Sequence, residues 1–97
     1  MEQIIKIVEE IIKTYLNVNQ NDCTYDEKKN IVEFDLNDYL DKPGNFESNI
    51  EDILFEMDKV VPVGYTFTHE YYTVTLWNGE EDIEQYNCKI TIKKVGE

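Results

Sequence analysis

Few side chains in this sequence could carry out covalent chemistry, and the best-suited couple is a cysteine and a histidine. His69 is the only histidine, and Cys88 lies on the predicted neighbouring strand, so the two could come close. A cysteine attacks as the thiolate, which forms near neutral pH only where a base or cation lowers its pKa. The only serine, Ser48, stands at a predicted helix start instead. We therefore expect His69 to be a half-buried sheet residue, and we predict no catalytic residues and no enzyme activity.

Acidic side chains are abundant, with 21 Asp and Glu against 9 Lys and Arg. Glu33 and Asp35 fall on one face of a predicted strand, and Glu51 and Asp52 fall on a predicted helix. General acid–base catalysis requires a carboxylate that is shielded from water. We interpret these positions as solvated acidic faces, which a basic protein partner could contact.

The sequence predicts no metal or cofactor site. The segment DLNDYLDKPGNFE starts like a calcium-binding loop, but Leu40 and Phe46 stand where such a loop needs glycine and glutamate. The segment NGEED, residues 78–82, could attract a cation loosely, and we interpret it as an acidic turn. No phosphate loop, dinucleotide fingerprint or zinc-ligand spacing occurs in the sequence.

The formal net charge is −12, and every basic residue apart from the histidine is a lysine. A field this negative opposes direct binding to nucleic acid or to an anionic membrane, and it suits a basic protein partner or plain solubility. No run of about 18 apolar residues occurs that would span a membrane. We expect Cys23 and Cys88 to be free thiols of a cytoplasmic protein, and a disulfide between them is the alternative for a secreted one.

The elements that position these residues begin with an amphipathic helix in EQIIKIVEEIIKTYLNV, ended by Asn17, Asn19 or Asn21. A hairpin of about 22–26 paired with 30–37 follows, and then a loop at Pro43-Gly44. Ser48 with Glu51 three residues later is typical of a capping box. The second helix is therefore expected over about 48–60, before Pro62.

Residues 63–77 predict one aromatic-rich strand, in which the apolar positions change from odd to even near Glu70. Such a strand would be roughly 50 Å long at about 3.3 Å per residue. A domain of this size has a radius of gyration of only about 12–13 Å. The strand must therefore bend at a bulge or project beyond the fold, and we expect a bulge near 69–72 because no Gly, Pro or Asn marks a turn there.

The segment NGEEDIE predicts a turn, and QYNCKITIKKV predicts a final strand with one polar face. The order of elements is α-β-β-α-β-β. We expect one domain over residues 1–97, of the α+β class, with a mainly antiparallel four-stranded sheet and both helices packed on one face.

This order of features resembles the C-terminal region of a group of phage and prophage proteins. They are the baseplate or fibre-connecting proteins of Mu-like and related contractile tails, in which a Pro-containing corner after the second helix leads into an aromatic strand. The resemblance covers about Ile4 to Trp77, and the residues that carry it are Pro43-Gly44, Val61-Pro62-Val63-Gly64, Tyr65, Phe67, Tyr71, Tyr72 and Thr75-Leu76-Trp77. It implies a structural protein of a tail-like particle.

We therefore expect a non-enzymatic structural or assembly protein that acts through protein–protein contacts, in the host cytoplasm or the virion, with a homo-oligomer as a further expectation. The alternative is a small acidic phage- or bacterium-encoded inhibitor, an anti-defence or immunity protein that blocks a basic nucleic-acid-binding or active-site groove. The residues expected to contact a partner are Tyr65, Phe67, Tyr71, Tyr72, Trp77, Glu33, Asp35, Glu51 and Asp52.

Overall fold

Two helices and one antiparallel sheet make up the structure, a computed structural model that describes residues 2–16, 22–37, 43–77 and 79–95. The elements in chain order are α1 (Glu2–Tyr15), β1 (Asp22–Asp26), β2 (Ile31–Asn37), α2 (Pro43–Val60), β3 (Tyr65–Trp77) and β4 (Asp82–Lys94). The four strands lie in the order β1-β2-β4-β3. The predicted α+β class and the order α-β-β-α-β-β are confirmed.

Helix α1 forms where the sequence predicts an amphipathic helix. Ile4, Val8 and Ile12 recur at intervals of four residues and are buried, so one stripe of the helix lies in the core. Leu16, just after the helix, is buried in the same cluster. The expected terminators, residues 17, 19 and 21, lie outside the described residues.

The first hairpin is confirmed almost to the residue, because its turn is locally specified. The Asp26 carboxylate accepts hydrogen bonds from the backbone N–H groups of Lys28 at 3.1 Å and Lys29 at 3.2 Å. Asn30 adopts a positive φ of 52°, a conformation that Asn tolerates better than most residues. These contacts bring β1 and β2 into antiparallel register.

Helix α2 begins earlier than expected, and the predicted capping box is wrong. The helix starts at Pro43, five residues before Ser48, so Ser48 lies inside it rather than at its cap. Proline suits the first helical position because the backbone N–H that it lacks would be unpaired there anyway. The extension places Phe46, 1% exposed, in the core.

One face of the sheet, here called the core face, supplies most of the buried strand residues. Burial alternates along β2, and the register sets Val32, Phe34 and Leu36 opposite Ile92, Ile90 and Cys88 of β4. Buried residues of α1 and α2 join them in one hydrophobic cluster. That both helices pack on this single face stays a prediction. The opposite, outer face carries Glu33 and Asp35, as expected.

The bulge expected in β3 is wrong. The register with β4 is unbroken from Tyr65↔Lys94 to Trp77↔Asp82. The strand therefore runs about 43 Å without a bulge, at about 3.3 Å per residue. The molecule accommodates this length by being elongated, with extents of 48 × 26 × 19 Å and a radius of gyration of 14.3 Å. The strand therefore projects beyond the fold, which was the other outcome expected from its length.

The projecting part is a two-stranded ribbon, defined here as residues 73–77 of β3 and 82–86 of β4. Strand β2 pairs with β4 only over Asn87–Lys93, so within the described residues the ribbon has no third strand beside it. The expected turn over NGEEDIE is accordingly too long, because β4 already begins at Asp82. Residues 82–84 have a composition that favours a turn, but their pairing with β3 makes them part of β4.

Candidate functional site

A groove of about 520 Å³ lies between α2 and β3 and is the first candidate binding surface. Its wall on the helix consists of Glu51, Leu54, Phe55 and Asp58, and its wall on the strand of Phe67, His69 and Tyr71. A second cavity of about 320 Å³ shares Tyr71 with it and continues past Phe46 and Glu47. Tyr71 is the residue that the two cavities have in common.

The helical wall follows from the spacing of residues on α2. Glu51, Leu54, Phe55 and Asp58 recur at i, i+3, i+4 and i+7, which places them on one side of the helix. This stripe is offset from Ile50, Ile53 and Met57, which are fully buried. The groove therefore has an apolar middle and carboxylates at both ends. Phe55 stays 65% exposed, with the Lys59 Nζ atom 4.3 Å from its ring centroid.

The strand wall is aromatic and lies in a negative electrostatic environment. The rings of His69 and Tyr71 meet edge to face with centroids 5.5 Å apart. Burial, and then Cys88 and the carboxylates of Glu47 and Glu51, raise the pKa of Tyr71 to about 12. The Tyr71 hydroxyl is therefore neutral at physiological pH and available as a hydrogen-bond donor.

The edge of β3 borders this groove, and no strand of the described residues pairs with it there. Within the described residues only β4 pairs with β3, which makes β3 an edge strand. The Val95 N–H donates to the Gly64 carbonyl at 2.7 Å, so these two residues form a hydrogen-bonded pair. Bonded and non-bonded pairs alternate along an antiparallel ladder. By that alternation the backbone groups of Phe67, His69 and Tyr71 point away from β4, towards the open edge.

On the outer face, three polar side chains from three strands form a hydrogen-bonded network. The Tyr72 hydroxyl donates to Asp35 Oδ1, and Asn87 Nδ2 donates to the Tyr72 hydroxyl oxygen at 3.2 Å. Burial, and then the hydrogen bond to Asp35, raise the pKa of Tyr72. Lys89 lies opposite Asp35 on one side and Glu70 on the other, so this face mixes both charges.

The ribbon exposes large apolar side chains on both of its faces. Trp77 is 67% exposed and Tyr86 38% exposed on the side continuous with the core face. Ile83 is 41% exposed on the side continuous with the outer face, where it pairs with Leu76. Exposed Trp and Tyr on a projecting element are typical of protein-binding surfaces.

The Cys88–His69 couple lacks the thiolate that nucleophilic chemistry requires. The register places Cys88 opposite Tyr71 and His69 opposite Ile90, so the couple is diagonal on the core face. Cys88 is fully buried, and this burial raises the pKa of its thiol to about 11. The expectation that His69 is half-buried is wrong, because its side chain is exposed at the groove.

The alternative disulfide between Cys23 and Cys88 does not form in this fold. Strand β2 separates β1, which carries Cys23, from β4, which carries Cys88, and both cysteines are free. Two strand spacings amount to about 9–10 Å, beyond the roughly 7 Å that a disulfide can join between Cα atoms.

In the part of the chain that the structure describes, no three His, Cys, Asp or Glu side chains gather so that they could hold a metal ion. Neither α1 nor α2 combines the length and the apolar character needed to cross a membrane.

Apart from Asp52, the residues expected to contact a partner fall on three surfaces rather than one. Glu51, Phe67 and Tyr71 line the groove, with Tyr65 on the same face of β3. Tyr72 and Asp35 belong to the outer-face network, with Glu33 beside them. Trp77 lies on the ribbon. Asp52 is exposed and lies outside the groove lining. Sequence reasoning did not single out Leu54, Phe55, Asp58 and His69 as a binding surface.

Comparison of the chain with protein-family models, curated proteins and solved structures gives no match.

Proposed function

We propose that this chain is a non-enzymatic assembly protein of a phage-tail-like particle, which acts by docking its projecting ribbon onto a neighbouring copy of itself. The observation that carries the proposal is the exposure of Trp77, Tyr86 and Ile83 at the projecting end of a 48 Å molecule. Exposed apolar groups on a projecting element are costly in water unless a partner covers them. The tail-like particle, and a location in the host cytoplasm or the virion, rest on the resemblance over Ile4 to Trp77.

The ribbon has the composition of an interface centre with a charged rim. Trp and Tyr contribute most to binding when they enter a desolvated pocket, whereas charged residues at the border mainly set orientation. Asp82 and Glu84 lie on β4 beside the exposed rings. Because the whole chain carries a net charge of −12, association of two copies should be favoured by salt that screens this charge.

The test is sedimentation velocity at increasing protein concentration in about 0.5 M salt, where the Debye length is only about 4–5 Å. We expect the wild type to self-associate, and Trp77→Ala to weaken the association constant by roughly 30-fold or more, as truncation of an interface hot spot does. Phe55→Ala removes an equally exposed ring from the groove and should associate like the wild type. A wild type that stays monomeric up to millimolar concentration would refute docking between copies.

The acidic inhibitor is a second candidate, favoured by the placement of carboxylates at the ends of an open groove. Glu51 and Asp58 flank an apolar middle, and Glu47 extends the acidic row. A basic partner groove could receive this surface by charge complementarity. The outer face is less suitable, because Lys89 lies directly opposite Asp35 there.

This candidate predicts a salt-sensitive complex with a basic nucleic-acid-binding protein. Changing Glu47, Glu51 and Asp58, the carboxylates that line the two cavities, to their amides should lower the affinity and flatten its salt dependence. Changing Glu33, Asp35 and Asp52, which lie outside these cavities, should have a smaller effect. Titration calorimetry at low and high salt measures the affinity and its salt dependence. Affinity that survives the three groove changes and high salt would exclude an electrostatic inhibitor.

A further inference from the structure

We propose that the groove between α2 and the edge of β3 binds an extended basic segment of a partner protein, which adds to the sheet as a fifth strand beside β3. This surface is separate from the ribbon, so the proposal does not depend on docking between copies. Two features meet in the groove: a strand edge that no described strand covers, and an apolar surface with a carboxylate at each end.

The strand edge supplies the main-chain part of the recognition. The outward-pointing backbone groups of Phe67, His69 and Tyr71 belong to the same residues that line the groove. A segment that pairs with this edge would satisfy those groups by the ladder that β-strand addition uses. Natural proteins usually protect such an edge with charges, proline or a covering element. Here the rings of Phe67, His69 and Tyr71 flank the edge on one face. Two threonines and one charged residue, Glu70, flank it on the other face.

The helix wall selects the side chains. In an added strand every second residue points towards α2, because side chains alternate between the two faces. A Lys or Arg at such a position could lay its aliphatic stem over Leu54 and Phe55 and extend its charge to a carboxylate. Glu51 and Asp58 are separated by about 10 Å along the helix axis. Two cations on alternate residues, about 6.6 Å apart along a strand, can each reach one of them.

Charge complementarity decides between the conceivable occupants. A second copy of this chain would bring a net charge of −12 against an acidic groove, which is unfavourable. An apolar segment would leave Glu51 and Asp58 partly desolvated without a counter-ion. A basic extended segment avoids both costs. The nearby cation, Lys59, is already paired with Glu56 at 3.3 Å.

The experiment uses the full chain and the capped heptapeptide Thr-Lys-Val-Arg-Thr-Lys-Thr as the probe, followed by ¹⁵N–¹H NMR. We expect saturable shifts of the backbone amides over residues 65–73 and of the groove stripe on α2. The double variant Glu51→Gln/Asp58→Asn should bind the probe roughly 5- to 30-fold more weakly, the loss expected for two exposed ion pairs. The matched double variant Glu27→Gln/Asp52→Asn changes the net charge equally outside the groove and should bind like the wild type.

Two further probes separate strand addition from charge attraction. The same peptide with Gln in place of Lys and Arg should bind more weakly to the wild type and be insensitive to the double variant. A version N-methylated at alternate residues keeps its charges but cannot complete the ladder, and it should lose most of its affinity.

Several outcomes would overturn the proposal. They are the absence of shifts at millimolar probe, shifts confined to the outer face, equal weakening by both double variants, or undiminished binding of the N-methylated peptide. Groove amides that shift on dilution without any probe would assign the edge to a second copy instead. Trp77→Ala should bind the probe normally, so failure of the ribbon proposal leaves this result unaffected.

Discussion

Removing the Tyr72 hydroxyl tests the outer-face network directly. In Tyr72→Phe the ring still packs on the sheet, but Asp35 loses a donor and Asn87 loses an acceptor. Asn87 is only 8% exposed, so its amide cannot regain full hydration. Its Oδ1 atom is already buried without a hydrogen-bond partner among the described residues. The variant therefore adds a second unsatisfied atom to one side chain.

The magnitude follows from the two bonds that are lost. A hydrogen bond to a charged group contributes about 1.5–3 kcal/mol, and a neutral one about 0.5–1.5 kcal/mol. Asp35 and Tyr72 are half-buried and the Asn87 bond is long at 3.2 Å, so the lower ends apply. We expect Tyr72→Phe to lower the free energy of unfolding by about 2 kcal/mol. For a domain of this size that corresponds to a fall in Tm of roughly 8–16 °C.

Urea unfolding followed by circular dichroism measures this change, and a double-mutant cycle isolates the pair. Asp35→Ala, Tyr72→Phe and the double variant should give a coupling energy of about 1–2 kcal/mol. Tyr86→Phe removes a hydroxyl from a more exposed ring of the ribbon and should change stability by less than about 0.5 kcal/mol. A coupling energy below about 0.3 kcal/mol would refute the hydrogen-bonded arrangement.

Three further predictions concern a glycine and the two cysteines. Gly64→Ala should destabilise the protein by about 1–2 kcal/mol in urea unfolding, because side chains with a Cβ disfavour the positive φ of 102° found there. Nothing lies within 4 Å of an added Cβ, so the expected loss comes from the backbone conformation and not from a clash. A neutral result would contradict that backbone conformation. The exposed Cys23 should react with a thiol reagent at pH 8 in the folded protein, and the buried Cys88 should not. Folding raises the pKa of Cys88 from 9.0 to about 11, so its contribution to stability is fully present below about pH 9 and is lost as the pH rises to about 11. Cys88→Ala should therefore flatten the decline of unfolding free energy over that interval, and an unchanged slope would contradict the assignment.

The hydrophobic periodicity predicts every element of the fold, and apart from the bulge expected within β3 the errors in the elements lie at boundaries set by tertiary packing. The start of α2 is missed because Pro43-Gly44 has the composition of a loop. Burial of Phe46 and the tolerance of proline at a first helical position outweigh that local preference. The start of β4 is missed because NGEEDIE favours a turn, whereas pairing with the long β3 holds Asp82 in the sheet.

The groove could be predicted only in part, because it combines two weak patterns. The aromatic residues of β3 and Glu51 are apparent as candidates from their types. The groove stripe of α2 is not apparent from the sequence, because a stronger stripe already accounts for the amphipathic pattern of the helix. The groove stripe consists of Glu51, Leu54, Phe55 and Asp58, and the stronger one of Ile50, Ile53 and Met57. A large aromatic residue outside the buried stripe, here Phe55 at 65% exposed, is the feature that could have revealed the second surface.

The change of apolar parity within β3 has a simple cause once the sheet is known. Over 65–71 the odd positions lie on the core face, where Tyr65 and Phe67 pack against the core and Tyr71 borders the groove. From Thr73 onward the strand extends beyond the part of the sheet that includes β2, and within the described residues neither face of the ribbon packs against the hydrophobic cluster. A ribbon with no other role would be expected to carry polar residues on both faces. Val74 and Leu76 on one face and Trp77 on the other do not fit that expectation, so contact with another protein is the physical reason we assign to them.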